Sequence, residues 1–248
     1  MPNERLRAAL LQKRITIAAL AEEVGDAPKT VERWVTQDRQ PSRRTRLAVA
    51  SFLGADETYL WPDALSTDQV ASASNSEIVT IYPHRWAVPR DAWERLFADA
   101  QNEVGILVFT GLFLADDSGV HRLLADKARA GVRVRFLLGD PDSAQVAERG
   151  EDEGIGDAMA AKVRSVISLY KPLRAVEGVE FRLHSTVLYN SIYFADDELF
   201  VNTHVYGVPA SNAPFWHMRK LPGGELVSTY RESFERVWDA AKPLTPEA

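Results

Sequence analysis

Apolar positions change period near residue 78. In residues 3–62 they recur at helical spacing: Leu6 and Leu10, then Leu20 and Val24, then Val31, Trp34 and Val35, then Leu47, Val49, Ala50 and Leu53. This predicts a row of short helices, each with one buried stripe. Gly54 is a helix stop and Pro62 closes the run. Residues 63–77, DALSTDQVASASNSE, carry no large apolar pattern and read as a flexible linker. Beyond them EIVTIYP predicts a strand, residues 90–101 an amphipathic helix, and VGILVFT (104–110) a strand of the fully buried kind. Residues 120–131 predict a helix ending at Gly131, and VRVRFLLGD (132–140) a second buried strand. That order implies a parallel pair joined by a right-handed crossover. Residues 143–170 read as helical with a break near Gly154 and Gly156. GVEFRLH, NSIYFAD and ELFVNTHVY read as three more strands, and GELVSTYRESFERVWDAA as a final helix. RGEDEGIGD (149–157) reads as a solvated loop, or as a lid over a pocket, made mobile by Gly150, Gly154 and Gly156, and HMRKLPGGE (217–225) as a hairpin-like turn. The expected fold class is therefore α plus α/β: an all-α domain over 1–62, a linker over 63–77 and an α/β domain over 78–248.

Composition removes several function classes. The 248 residues include no cysteine, which excludes disulfides, thiolate metal sites and cysteine nucleophiles. The longest apolar run, residues 105–115, is too short to span a bilayer. The N-terminus MPNERLRAALLQKR is charged and helical, unlike a signal peptide. A cytoplasmic protein without membrane attachment is expected. The net charge of −6 is unevenly spread. Residues 1–62 hold 10 Lys and Arg against 8 Asp and Glu, whereas residues 63–248 hold 19 against 27. The first part suits a polyanion and the second repels one.

Residues 16–34, TIAALAEEVGDAPKTVERW, have the spacing of two helices joined by a tight turn. Thr16 is a cap for the first helix. Ala21 is small enough for close crossing, Gly25 supplies a left-handed turn residue, and Pro28 suits the first turn of the second helix. Val31 and Trp34 face inward, leaving Lys29, Thr30, Glu32 and Arg33 outward. Together with the QPS turn at 40–42 and the closing LGADETYLW, the stretch from about residue 3 to residue 62 resembles the Cro/repressor-type (Xre-family) helix-turn-helix regulators. The resemblance implies a DNA operator as partner. It places Lys29, Thr30, Glu32 and Arg33 at base-reading positions, and Arg39, Arg43, Arg44 and Arg46 at phosphates. Ile17 and Ala27 depart from the polar residues usual at their positions in that family.

The second part concentrates polar groups in strand-like sequence, HSTVLYNSIYFADDELFVNTHVY (184–206). The order of elements around it resembles one half of the phospholipase D-like fold. Active members of that family carry His-x-Lys-x4-Asp, in which the histidine attacks phosphorus and the lysine holds the phosphate oxygens. With the aspartate set on Asp196, Tyr189 and Ser191 stand at the histidine and lysine positions; with it set on Asp197, Asn190 and Ile192 do. Neither register restores the motif, so no catalytic residue is assigned and loss of the phosphodiesterase chemistry is expected. The alternation of Ile192, Phe194, Leu199 and Val201 with polar residues puts one face toward a core and one toward a cleft. Thr110, Phe113, Arg182, His184, Tyr189, Asn190, Ser191, Asn202 and His204 are the expected ligand-binding residues, for a small polar or phosphorylated molecule. A metal site from His184, His204 and Asp196 lacks tight ligand spacing, so no metal or cofactor is expected.

The combined expectation is a homodimeric transcriptional regulator with a degenerate phospholipase D-like ligand-sensing domain. Two rivals remain: a phosphodiesterase or nuclease with a replacement nucleophile (Tyr189, His184 or His204), and a protein-interaction module without a small-molecule ligand.

Overall fold

The structure is a computed structural model and describes residues 2–62 and 67–244. The chain divides into two compact units, Met1–Ser76 with Leu221–Glu225, and Glu77–Lys220 with Leu226–Ala248.

The first unit contains α1 (Glu4–Lys13), α2 (Ile17–Val24), α3 (Pro28–Gln37), α4 (Arg43–Leu53) and α5 (Glu57–Leu60). Three helix starts are set by polar caps: Asn3 accepts from the Leu6 N–H, Thr16 from Ala19 and Ser42 from Thr45. α2 and α4 end at Gly25 (φ 70°) and Gly54 (φ 58°), where the left-handed backbone suits a residue without Cβ. Leu6, Leu20, Val31, Trp34, Val49, Leu53, Leu60 and Trp61 form the core. The Asn3 amide donates to Leu60 O at 2.8 Å, tying the start of α1 to α5. Arg46 is buried and bonds Glu57 at 2.7 Å and Pro41 O at 3.0 Å.

A sixth helix, α6 (Thr67–Glu77), replaces most of the expected linker, whose residues 63–66 lie outside the described ones. Ser, Ala, Asp and Asn suggest a linker by composition. The segment nevertheless lacks Gly and Pro, the two residues that oppose a helix most strongly.

The second unit is built on an eight-stranded sheet of order β1-β7-β6-β5-β2-β3-β4-β8. Its strands are β1 (Ile78–Tyr82), β2 (Glu103–Leu107), β3 (Arg133–Gly139), β4 (Val179–His184), β5 (Asn190–Ala195), β6 (Glu198–Thr203), β7 (Phe215–Arg219) and β8 (Lys242–Pro243). Its helices are α7 (Arg90–Ala98), α8 (Leu112–Ala115), α9 (Ser118–Arg129), α10 (Ala144–Asp152), α11 (Ala158–Leu169), α12 (Lys171–Arg174) and α13 (Leu226–Ala240). The expected parallel pair is present as β2 and β3, with Val104 opposite Val134, and β4 extends it. The remaining pairings are antiparallel. One sheet face packs on α7, α9 and α12 through Phe97, Leu124, Leu173 and Phe136; the other packs on α11 and α13 through Val163, Phe234, Leu137 and Phe194.

Parallel and antiparallel halves meet where β2 pairs with β5. Gly105 opposes Phe194 there, and a Cβ on Gly105 would lie 2.1 Å from the Phe194 ring. The Arg231 guanidinium covers the same ring, 3.6 Å from its centroid. Arg231 also pairs with Glu103, and the buried Arg135 bridges Glu103 and Glu235, so α13 is pinned to the sheet by charge as well as by apolar packing.

Two sequence expectations need correction. Residues 217–219 belong to β7 instead of a turn, because Met218 is fully buried between the outward His217 and Arg219. Residues 149–152 end α10, and Arg149 is buried, hydrogen-bonding Glu153 at 2.8 Å, so this stretch is not a solvated loop.

Gly105→Ala is expected to destabilise the second unit by about 1–3 kcal/mol, the usual cost of overpacking a dense core. Urea unfolding of the parent and variant reads it as a lower midpoint at unchanged slope.

Candidate ligand cavity and recognition surface

In the first unit, the sequence of α3 sorts its residues cleanly. Val31, Trp34 and Val35 are 0%, 2% and 4% exposed, while Lys29, Glu32 and Arg33 are exposed and Thr30 is half-buried. Thr36 and Gln37, which sequence reasoning did not single out, continue the exposed face. Pro28 starts the helix and Ala27 gives it no side-chain cap. Arg39, Arg43 and Arg44 are exposed. Arg46 is not: its guanidinium is spent on Glu57 and Pro41 O, so it leaves the set of expected phosphate contacts. Its place on the inner stripe of α4, three residues before Val49, forces that burial.

In the second unit a cavity of 430 Å³ opens beside the C-terminal end of β2 and the N-terminal end of β5. Four expected residues line it: Thr110, Phe113, Ser191 and His204. Five do not. The Arg182 guanidinium stacks on Trp238 and donates to its carbonyl at 2.8 Å, so it packs α13. His184 is 1% exposed and fully engaged: Nε2 meets Val108 O at 3.1 Å, and Nδ1 accepts from the Thr186 N–H. A carbonyl only accepts, so Nε2 carries the proton and the ring is neutral. Asn202, 0% exposed, donates to the carbonyls of Ala213 (3.3 Å) and Pro214 (3.2 Å) and fixes the segment before β7. Asn190 pairs with Thr203 along the β5–β6 ladder. Tyr189 is 78% exposed and is not part of the cavity lining.

The cavity has members that sequence reasoning missed. Arg85 lies 4.1 Å over the Phe113 ring, beside the exposed Trp86. Arg149 and Glu153 pair at 2.6 Å in one wall, Asp116 and Lys162 contribute opposite charges, and Tyr193 lies below. Tyr193 was legible, since it stands two residues after Ser191 on the same strand face. Arg85 and Arg149 were not, because neither sits in a periodic segment that aims it at the strands.

The polar groups form one directed chain. His204 Nδ1 lies 3.1 Å from Leu188 O, and its Nε2 lies 3.1 Å from Ser191 Oγ. The carbonyl acceptor puts the proton on Nδ1, so the neutral ring accepts from the Ser191 hydroxyl. The order therefore runs from the Ser191 hydroxyl through His204 to Leu188 O. Tyr193 lies beside them in the lining, where burial raises its hydroxyl's pKa and its neighbours Arg85 and Ser191 work against that rise. Burial pushes His204 down to about 4, and Arg149 adds to the shift against the Leu188 hydrogen bond. Burial also takes His184 down to about 4, with the Val108 hydrogen bond and Asp140 opposing. Asp196 is no metal ligand. Its carboxylate accepts from the N–H groups of Gln101 (2.6 Å), Asn102 (3.0 Å) and Glu103 (2.9 Å). Burial works against the charged form, but these bonds win and hold the carboxyl below its usual range. Among the described residues no group of His, Asp and Glu is arranged to hold a metal ion, and no helix is long and apolar enough to cross a membrane.

His184 and His204, the two histidines taken down to about 4, set a pH dependence. Unfolded, each takes up a proton near 6.5; folded, each resists it down to about 4. The unfolded state therefore binds more protons between these values. Stability is full above pH 6.5 and falls as pH drops toward 4. A melting series from pH 7.5 to 4 is expected to show that decline, and the imidazole resonances of His184 and His204 are expected to stay in neutral-ring positions at pH 5.5.

The chain matches no protein-family model and no curated protein. Among solved structures it is similar to TrmBL2, an archaeal chromatin protein with a described mode of DNA binding, at 14% identity over 88% of this chain and 72% of that one, TM-score 0.42. It is also similar to Nuc from Salmonella typhimurium, a phospholipase D family member, at 14% identity over 67% and 97%, TM-score 0.39. A third similar structure is the phosphatidylserine synthase of Haemophilus influenzae Rd KW20, at 11% identity over 85% and 49%, TM-score 0.43. At TM-scores below 0.5 these likenesses assign neither a fold family nor an activity to this chain.

Proposed function

We propose that this chain is a DNA-binding transcriptional regulator. In this reading its first unit is a Cro/repressor-type helix-turn-helix domain, and its second is a phospholipase D-like domain that binds a small polar ligand in place of phosphodiester chemistry. The observation that carries the reading is α3: one face seals the core while Lys29, Glu32 and Arg33 stand exposed, followed by the exposed Arg39, Arg43 and Arg44. A helix of this length with a polar, basic outer face suits the major groove, and flanking arginines suit phosphates. The expected cytoplasmic location follows from that role.

The sensing half of the proposal is supported by the 430 Å³ cavity, which falls in the size range of small-molecule sites and joins aromatic walls to a few oriented polar groups. Asp196 serves a backbone turn, and neither Tyr189 nor Ser191 supplies the imidazole or ammonium of the His-Lys pair. Val187, Tyr189, Val205 and Tyr206 are 54%, 78%, 41% and 83% exposed, an apolar surface that supports self-association into a homodimer on a near-palindromic operator. Effector binding would then shift DNA affinity only by its difference in affinity for the two arrangements of the dimer.

Native mass spectrometry of the full chain tests the assembly: a dimer carrying a dissociable small mass is expected, and a ligand-free monomer counts against the shared sensor. DNA binding is tested by salt titration on a selected operator. Arg43→Ala and Arg44→Ala are each expected to lower the slope of log affinity against log salt by about 0.9. Arg33→Ala is expected to relax base preference. Arg46→Ala is expected instead to unfold the first unit by about 3 kcal/mol, the cost of stranding one partner of a buried pair, read as a lower melting temperature at undiminished salt slope.

A further inference from the structure

We propose that Ser191 is a nucleophile activated by His204, so that the cavity hydrolyses, or is acylated by, a small carboxylic ester. The inference goes beyond ligand sensing and does not depend on DNA binding. Three observations carry it. First, the dyad is assembled in the resting protein: Ser191 Oγ is 3.1 Å from Nε2, and Leu188 O holds Nδ1–H at 3.1 Å. The base thus has its lone pair aimed at the hydroxyl and its tautomer fixed from behind, the arrangement a serine nucleophile requires. Second, both residues line a cavity with room for a substrate, so the hydroxyl oxygen has an approach. Third, Tyr193 and Arg85 line the same cavity as Ser191, bringing a phenol and a guanidinium to the site where the substrate's carbonyl oxygen gains negative charge.

The electrostatics select the substrate class. The lining holds Arg85, Arg149 and Lys162 against Asp116 and Glu153, a net of one positive charge, and Arg149 is already matched by Glu153. One net charge matches the single oxyanion of a tetrahedral acyl intermediate. A phosphodiester would bring one negative charge into the cavity and build a second in its transition state. In the acyl reaction Ser191 Oγ bonds to the ester carbonyl carbon as its proton passes to His204 Nε2. The carbon–oxygen bond to the leaving alcohol then breaks, and that alcohol takes the proton from Nε2. Water attacks the acyl-serine, gives its proton to Nε2, and the serine leaves with that proton, releasing the acid.

The test uses the full-length protein, a fluorophosphonate probe and p-nitrophenyl acetate, with the modified residue identified by peptide mass mapping. Covalent label on Ser191 is expected, together with release of p-nitrophenol. His204→Asn keeps a donor for Leu188 O and removes the base, and is expected to slow both reactions by about a hundredfold, the scale of general-base assistance. Label mapping of the unsubstituted protein does not depend on any variant folding. No label, or label on another residue, overturns the proposal. Equal labelling of Ser191 in parent and His204→Asn overturns the role of the histidine, and with it the activated dyad.

Discussion

The second unit depends on the seam between β2 and β5. A parallel strand group and an antiparallel one meet there, and one strand must leave room for a ring carried by the other. Gly105 leaves room for the Phe194 ring, which Arg231 then caps from α13. Just beyond the seam Asp196 adopts a left-handed backbone (φ 49°), which an aspartate tolerates better than most side chains, and uses its carboxylate to gather three consecutive N–H groups at the entrance of β2. Those donors precede and begin the strand, where the ladder does not yet satisfy them. One acidic side chain therefore closes the β5–β6 turn and sets the register of β2 against β5. That register determines which residues of β5 face the cavity.

Strand register at the seam has a direct chemical consequence. With Ile192 and Phe194 committed to the core under α13, Ser191 and Tyr193 must face the opposite side, under α7 and beside Phe113. Asn202 on β6 is buried by the same pleat and holds the segment before β7 by its amide. His204 lies just past the end of β6, where its N–H meets Tyr189 O and its ring turns back onto Ser191. The orientation of the His204 ring and of the Ser191 hydroxyl follows from the Leu188 carbonyl, which only accepts.

Much of this architecture was legible in the amino-acid pattern, because the strongest signals are periodic. The buried stripe of α3, the continuous apolar runs of β2 and β3, and the alternation through β5 and β6 each mark an element and its inward face. What escaped the pattern depends on contacts distant in sequence. Arg46 and Arg149 look like surface cations until Glu57 and Glu153 are placed beside them. Arg182 and His184 look like cleft residues until Trp238 and Val108 engage them. The α6 helix was hidden by small polar residues that signal linker and helix almost equally. Among the expected ligand residues, alternation brings Ser191 to the cavity wall, whereas Asn202 is drawn onto backbone carbonyls and Tyr189, before β5, follows the course of the loop.

The arginines and histidines show why residue type alone does not assign function here. A charged group whose bonding capacity is filled internally has little left for a ligand, however suggestive its position in a motif. Arg46 and His184 are filled in this sense, and both have apolar neighbours that keep water out. Arg85 differs in kind: it stacks on Phe113 beside Trp86 in the cavity lining, where its guanidinium donors face whatever enters. His204 differs as well. Burial keeps it neutral, and neutrality leaves it one acceptor, which Ser191 occupies from the cavity side. A group held uncharged, in one tautomer, against a hydroxyl at a solvent-reachable wall is set up for proton transfer in a way that a satisfied core histidine is not.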